Sequence, residues 1–255
     1  MKKIITLLFV IIAFSTCKDE KDCCVNPSKN VSLKFTHNWD GNTISTSDFN
    51  NFKFTTKNGE SVSITRLRYV ISNIRLINGN EIFTFSDYNL IDIGEEKGLN
   101  LTLPEQIFSG SYQLKFTFGF ADEDNIDGVY QDLNSVSFNV PGMLGGGYHY
   151  MQFDGKYKDT NNADANFNYH AIRAVDRTDP NNLIFQDTSF EVDLGTLSFI
   201  NDSEITIKAN IAEWFKNPNT WNLNELSTVL MPNFDAQILM SANGKSVFSL
   251  GEVSQ

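Results

Sequence analysis

Two histidines and a methionine in the second half of the chain have the side chains best suited to bind a soft metal ion. His149 and Met151 are two residues apart in an alternating stretch, and His170 lies in the next predicted strand. Alternate residues of a strand point to one face, so we predict that His149 and Met151 point the same way, about 7 Å apart. Imidazole and thioether groups both suit copper, which is the metal that this pattern favours.

The sequence also predicts how the two histidines meet. Residues 148–153 and 167–172 read as strands, and the polar residues 159–166 read as the hairpin loop between them. In such a hairpin His149 and His170 lie nearly opposite each other on the two strands. Side chains that are directly opposite lie about 5 Å apart. We therefore predict that the two imidazoles share one pocket.

A structural interpretation of the same residues stays open. Met151 would then be a core residue, and each histidine would only bind a backbone carbonyl. His37, the remaining histidine, ends the first predicted strand on its inward side. It is a further candidate ligand, although a histidine at such a position is commonly a hydrogen-bonded residue of the strand end.

The composition describes a folded, acidic protein. The chain has 255 residues, a formal net charge of -11, 41% hydrophobic residues and 21 phenylalanines. This is enough apolar material for a well-packed core. The negative charge argues against nucleic acid as a partner, because such binding requires a basic surface.

The first residues are typical of an exported lipoprotein. A basic start precedes an apolar run over 4–14, which is the length of a signal-peptide core and too short to span a membrane. The run leads to Cys17, whose context resembles a bacterial lipobox. We predict a signal peptide over 1–16, a lipidated charged tether over 17–30, and attachment to the membrane through acyl chains on Cys17. The expected location is the bacterial outer membrane, facing the surface or the periplasm.

The rest of the chain, 31–255, predicts one all-β domain. Short alternating segments and frequent turn signals, without a βαβ rhythm, favour an antiparallel β-sandwich or barrel-like domain with short helices near the C-terminus. The longest segment changes phase at Ser72-Asn73, which predicts a bulge. The predicted strands cover residues 31–37, 49–55, 61–76, 81–85, 88–93, 110–120, 148–153, 167–172, 183–185, 189–194, 204–211 and 247–250. The predicted helices cover residues 212–216, 222–231 and 235–242.

An ordered set of short motifs resembles the MbnP-like family from about residue 31 to the C-terminus. The motifs are Leu67-Arg-Tyr-Val-Ile-Ser-Asn-Ile-Arg-Leu76, Gly110-Ser-Tyr112, Phe118-Gly119-Phe120, Gly142-Met143, Gly147-Tyr148, Asp154-Gly155, Tyr169-His170, Met231-Pro232, Ala236 and the segment from Asn243 to Phe248. The resemblance implies a β-rich extracytoplasmic domain that binds copper and is linked to methanobactin and copper handling.

The resemblance also implies a copper site made of histidine and an oxidised tryptophan, the latter produced by a di-haem partner enzyme. Family members often carry tryptophans between the Gly-Met and Gly-Tyr motifs. In this chain that insert is Leu144-Gly-Gly146, and the three tryptophans are Trp39, Trp214 and Trp221.

A different function class is a surface lipoprotein that binds a glycan, a peptide or a protein without metal. The three tryptophans, together with Tyr148 and Tyr150, would then supply a stacking surface. An enzyme is not expected, because the sequence contains no nucleophile elbow, no HExxH motif and no phosphate-binding loop.

Overall fold

Two β-sheets form most of the protein. The computed structural model describes residues 27–179 and 181–255. The predicted signal peptide, Cys17 and most of the tether lie outside the described residues. Contacts with the domain begin at the end of the tether, where Ser28 binds Gln106 and the backbone of Lys29 pairs with Ile107.

Strands dominate the described residues, and helices are short. The strands are β1 Val31–Trp39, β2 Asn42–Thr43, β3 Phe54–Thr55, β4 Ser61–Asn78, β5 Glu81–Asp92, β6 Asn100–Thr102, β7 Gly110–Phe118, β8 Met151–Lys158, β9 Asp164–Ala171, β10 Ala174–Asp176, β11 Ile184–Gln186, β12 Phe190–Phe199, β13 Ser203–Asn210 and β14 Phe248–Ser254. The α-helices are α1 Gln131–Ser135 and α2 Phe234–Gly244. Single 3₁₀ turns cover Thr46–Asp48, Gly142–Leu144 and Ile211–Phe215.

The sheets pack face to face, as a sandwich. The larger sheet has the order β12-β7-β4-β8-β9, with β3 and β5 also paired to β4; the smaller has the order β14-β13-β1-β2, with β6 paired to β1. The rings of Tyr69 and Phe116 from the larger sheet lie 5.7 and 5.3 Å from the ring of Phe248 on the smaller one. Neither sheet closes into a barrel within the described residues. The predicted all-β architecture is confirmed, with one parallel pair, β1 and β13.

Strand β4 is the centre of the larger sheet. Its first half pairs with β8 and its second half with β7, both antiparallel. The predicted bulge lies in the half that pairs with β7: Asn73 has a φ of 51°, and the register with β7 shifts between Ser72 and Arg75. Asparagine tolerates this left-handed conformation better than most residues. The change of partner comes just before the bulge, between Tyr69, which pairs with β8, and Ile71, which pairs with β7.

Some local predictions are wrong. Residues 222–231 form turns rather than a helix, and the strand predicted over 49–55 is reduced to Phe54–Thr55. Segments 81–85 and 88–93 are one continuous strand, β5. Helix α2 and the final strand lie where they were expected. In the described part of the chain no helix is long and apolar enough to cross a membrane.

Gly155 on β8 has no room for a Cβ beside β4, and it provides a test of this packing. A Cβ added there would lie 2.0 Å from the backbone oxygen of Ser63 and 2.6 Å from the ring of Phe167. We expect Gly155→Ala to lower the free energy of unfolding by about 1–3 kcal/mol, because the strands must move apart. Urea unfolding of the purified protein measures this.

Gly142→Ala is the matched control, since a Cβ at Gly142 has no atom within 4 Å. Its free energy of unfolding should stay within about 0.5 kcal/mol of the wild-type value. Equal stability of both variants would contradict the close approach of β8 and β4.

Candidate metal centre

The register of the β8–β9 hairpin decides which side chains can meet. Gln152 lies directly opposite His170, and Asp154 lies opposite Asn168. Side chains opposed in this way point to the same side of the sheet, so these four form one polar patch on its outer face. Met151 lies opposite Ala171, and therefore points to the other side, into the core.

The imidazoles of His149 and His170 are in contact. Their ring centres are 5.2 Å apart, and the rings are nearly perpendicular at 83°. The predicted closeness of the two imidazoles is confirmed. Both lie on the outer face, so the prediction that His149 shares a face with Met151 is wrong.

The physical reason is the backbone before β8. Gly145, Gly146 and Gly147 all have positive φ, and Tyr150 lies in a bend before the strand begins at Met151. Alternation predicts facing only within a continuous strand, and it does not extend across this bend. The real cross-strand register is consequently also offset from the one that the sequence predicts.

One ring nitrogen of His149 is hydrogen-bonded, and the other has no partner among the described residues. Nδ1 lies 2.9 Å from the backbone oxygen of Phe138, to which it donates a hydrogen bond. Nε2 is buried and has no hydrogen-bond partner among residues 27–179 and 181–255. Burial lowers the pKa of His149 to about 4, so the ring is neutral at pH 7. The lone pair of Nε2 is therefore available to a metal ion.

His170 has the same division of roles, with its nitrogens exchanged. Its Nε2 lies 2.9 Å from Oδ1 of Asp154, which also accepts a hydrogen bond from Asn168 at 2.6 Å; Oδ2 pairs with Arg66 at 2.5 Å. Burial raises the pKa of Asp154, but the hydrogen bond and charge of His170, with Asn168 and Arg66, outweigh it and lower this pKa to about 2. The ionised carboxylate accepts a hydrogen bond from Nε2 of His170, which leaves Nδ1 as the ring nitrogen that could bind a metal ion.

The other predicted ligands lie elsewhere. Met151 is fully buried in the core, opposite Tyr69. His37 is on the smaller sheet and binds the hydroxyl of Tyr69 through Nε2 at 2.9 Å. Burial lowers the pKa of His37 to about 4. The structure thus brings His149 and His170 together and keeps Met151 and His37 on the core side of the larger sheet.

Several residues of this site were not predicted. Asp154 orients His170, and a cavity of about 160 Å³ beside His170 is lined by Asn168, Val229, Leu230 and Met231. Asp154 lies on the same strand as Met151, and the correct register would have placed it beside His170. No group of three or more His, Cys, Asp or Glu side chains suited to a metal ion occurs in the described ranges. The site is therefore a histidine pair and not a closed cage.

Comparisons with known proteins identify the family. The family model described as MbnP matches residues 28–232, most of the chain. The chain belongs to the MbnP family. Its fold is also similar to the structure of MbnP from Methylosinus trichosporium, with a TM-score of 0.54 and 10% sequence identity over 88% of this chain and 99% of that one. No curated protein matches the sequence. The MbnP family is associated with methanobactin and copper handling.

The tryptophans of this MbnP family member lie away from the histidine pair. Trp39 stacks on Phe54, and Trp214 and Trp221 both pack against Tyr169. Tyr169 neighbours His170 on β9 and so faces the opposite, core side. All three tryptophans are buried, as are Tyr148 and Tyr150. These residues consequently do not form the exposed stacking surface that the alternative function requires.

His37 provides a test of the buried, neutral state of its ring. Its pKa is about 4 in the folded protein and near 6.5 when unfolded, so below pH 6.5 the unfolded chain binds a proton that the folded one does not. Stability is therefore lost as the pH falls from 6.5 towards 4. Glutamine at position 37 can still bind Tyr69 but does not titrate. Between pH 7 and pH 5 we therefore expect the free energy of unfolding of His37→Gln to fall by about 2 kcal/mol less than that of the wild type.

Urea unfolding with a chelator present, at pH 5, 7 and 9, measures this difference. Between pH 7 and pH 9 neither glutamine nor neutral histidine titrates, and the difference in free energy between the two proteins should stay constant. Identical pH profiles from 7 to 5 would show that the ring is accessible to protons when folded.

Proposed function

We propose that this protein binds copper(I) between Nε2 of His149 and Nδ1 of His170. The observation that supports this most directly is the buried, unpartnered Nε2 of His149 beside the second imidazole. A buried polar atom without a hydrogen bond costs about 1–3 kcal/mol. A bound metal ion would remove that penalty and so would stabilise the buried position of Nε2.

The hydrogen bonds around the two rings also fit metal binding. Histidines that bind metals usually donate their other ring N–H to a carboxylate or a backbone carbonyl, which fixes the tautomer and the orientation of the ring. Here His149 donates to the carbonyl of Phe138, and His170 donates to Asp154. Burial keeps the ring of His149 neutral at pH 7, which is the form that metals require.

The donor set favours copper(I) over zinc. Structural zinc sites are almost always tetrahedral, with four protein ligands drawn from Cys, His, Asp and Glu. No group of three or more of these side chains that could hold a metal ion occurs in the described residues. Copper(I) tolerates low coordination numbers and prefers soft, neutral donors. The proposed site contains no tryptophan, so it does not depend on an oxidised tryptophan or on a di-haem partner enzyme.

The predicted leader supports a place for this activity in the cell envelope. A signal peptide followed by Cys17 would attach the mature protein to the outer membrane by acyl chains. We propose a lipid-anchored protein that binds or transfers copper there rather than an enzyme. Copper bound by two imidazoles is suited to storage or delivery.

Removal of either imidazole should abolish tight binding. We expect His149→Ala and His170→Ala each to weaken copper(I) binding by more than about 100-fold. Removing a residue that only hydrogen-bonds to a metal ligand already lowers metal affinity by about 10–100-fold, and removing the ligand itself should cost more. Competition with a coloured copper(I) chelator measures the affinity of the purified protein, and circular dichroism checks its folding.

His37→Gln is the matched control, since it changes the third histidine on the other side of the sheet and should leave the affinity unchanged. Unchanged copper affinity in folded His149→Ala and His170→Ala would disprove the site.

Asp154 should affect the affinity without touching the metal. We expect Asp154→Asn to weaken copper(I) binding by about 10–100-fold, because the neutral amide holds the tautomer of His170 less firmly and lowers the basicity of Nδ1. The same competition titration measures the change. Asp164→Asn, at the exposed end of β9 with Lys158 as its partner, is the control. Equal affinities of the two variants would exclude a role for Asp154.

A further inference from the structure

A methionine lies across a small cavity from the proposed ligand His170. The cavity has a volume of about 160 Å³, and its walls are Asn168, His170, Val229, Leu230 and Met231. Met231 is partly exposed, whereas its neighbour Leu230 is buried and anchors the segment in the core. The thioether therefore belongs to a segment that is fixed at one residue and open to solvent at the next.

Hydrogen bonds tie this segment to the strand that carries His170. The side-chain amide of Gln237 donates to the backbone oxygens of both His170 and Leu230, at 2.9 and 3.0 Å. The backbone N–H of Asn168 donates to the oxygen of Ser227 at 2.8 Å. Gln237 is almost completely buried, so these bonds are shielded from water. The position of Met231 beside His170 is consequently set by the fold.

The backbone of the same segment is strained. Val229 has a φ of 57°, in the left-handed region, and its side chain is 75% exposed. A β-branched residue rarely adopts this conformation, and such outliers cluster at functional sites and ligand clamps. The turn that Val229 makes leads directly into Leu230 and Met231.

We infer that the sulfur of Met231 is a third donor to copper(I) at the His149–His170 site. This inference rests on the proposed copper site and specifies its metal. A thioether is a soft, neutral ligand that favours copper(I) and contributes little to zinc or to oxidised copper. The cavity is lined by both Met231 and His170, and it provides space for a metal ion between the sulfur and that imidazole.

The test compares Met231→Leu with Met143→Leu in the purified protein loaded with copper(I). Leucine retains the apolar volume and removes the sulfur, and Met143 is 73% exposed on the 3₁₀ turn before the glycines. We expect Met231→Leu to weaken copper(I) binding by about 10-fold or more and to leave zinc binding unchanged. X-ray absorption at the copper edge should show a sulfur neighbour in wild type and Met143→Leu, and none in Met231→Leu.

The possible failures are distinguishable. If wild type shows only nitrogen neighbours, or if Met231→Leu keeps both the affinity and the sulfur signal, Met231 is not a ligand. The histidine site still stands in that case, provided that His149→Ala and His170→Ala lose copper. If wild type binds no copper(I), both the site and the role of Met231 are overturned.

Discussion

The carboxylate of Asp154 joins three neighbouring strands of the larger sheet. It lies on β8, pairs with Arg66 on β4, and accepts hydrogen bonds from Asn168 and His170 on β9. These contacts require all four side chains to lie on the outer face, and therefore fix β8 and β9 in one register. Because a shift by one residue would turn every side chain to the opposite face, this charged network specifies the site as well as the sheet.

The opposite face of the same strands is an apolar core. Met151 and Phe153 of β8 are fully buried there, next to the aromatic residues that join the two sheets. This explains why soft donors close in sequence are separated in space. One face of the hairpin serves packing, with the thioether of Met151 in the core. The other face holds polar groups, among them the paired imidazoles of His149 and His170.

Burial without a hydrogen bond is the unusual feature of His149. Protein interiors pair nearly all of their polar atoms, and an exception calls for an explanation. The glycines that precede His149 bend the chain so that the backbone N–H and Nδ1 of this residue both reach the carbonyl of Phe138, while Nε2 is left beside His170. The same glycine turn therefore leaves this nitrogen unpaired in a ring that packs against the second imidazole.

The sequence alone determined the features that depend on local periodicity and turn chemistry. Alternation located β1, β7 and the two strands of the hairpin, Asn73 marked the bulge in β4, and the paired histidines were placed in one pocket. Facing and register were decided by tertiary structure, because the bend at Tyr150 interrupts the alternation before β8 begins. The closeness of Met231 to His170 was also decided there: the two are far apart in the chain, and their segments are joined by the buried amide of Gln237 and by the hydrogen bond from the backbone N–H of Asn168 to Ser227.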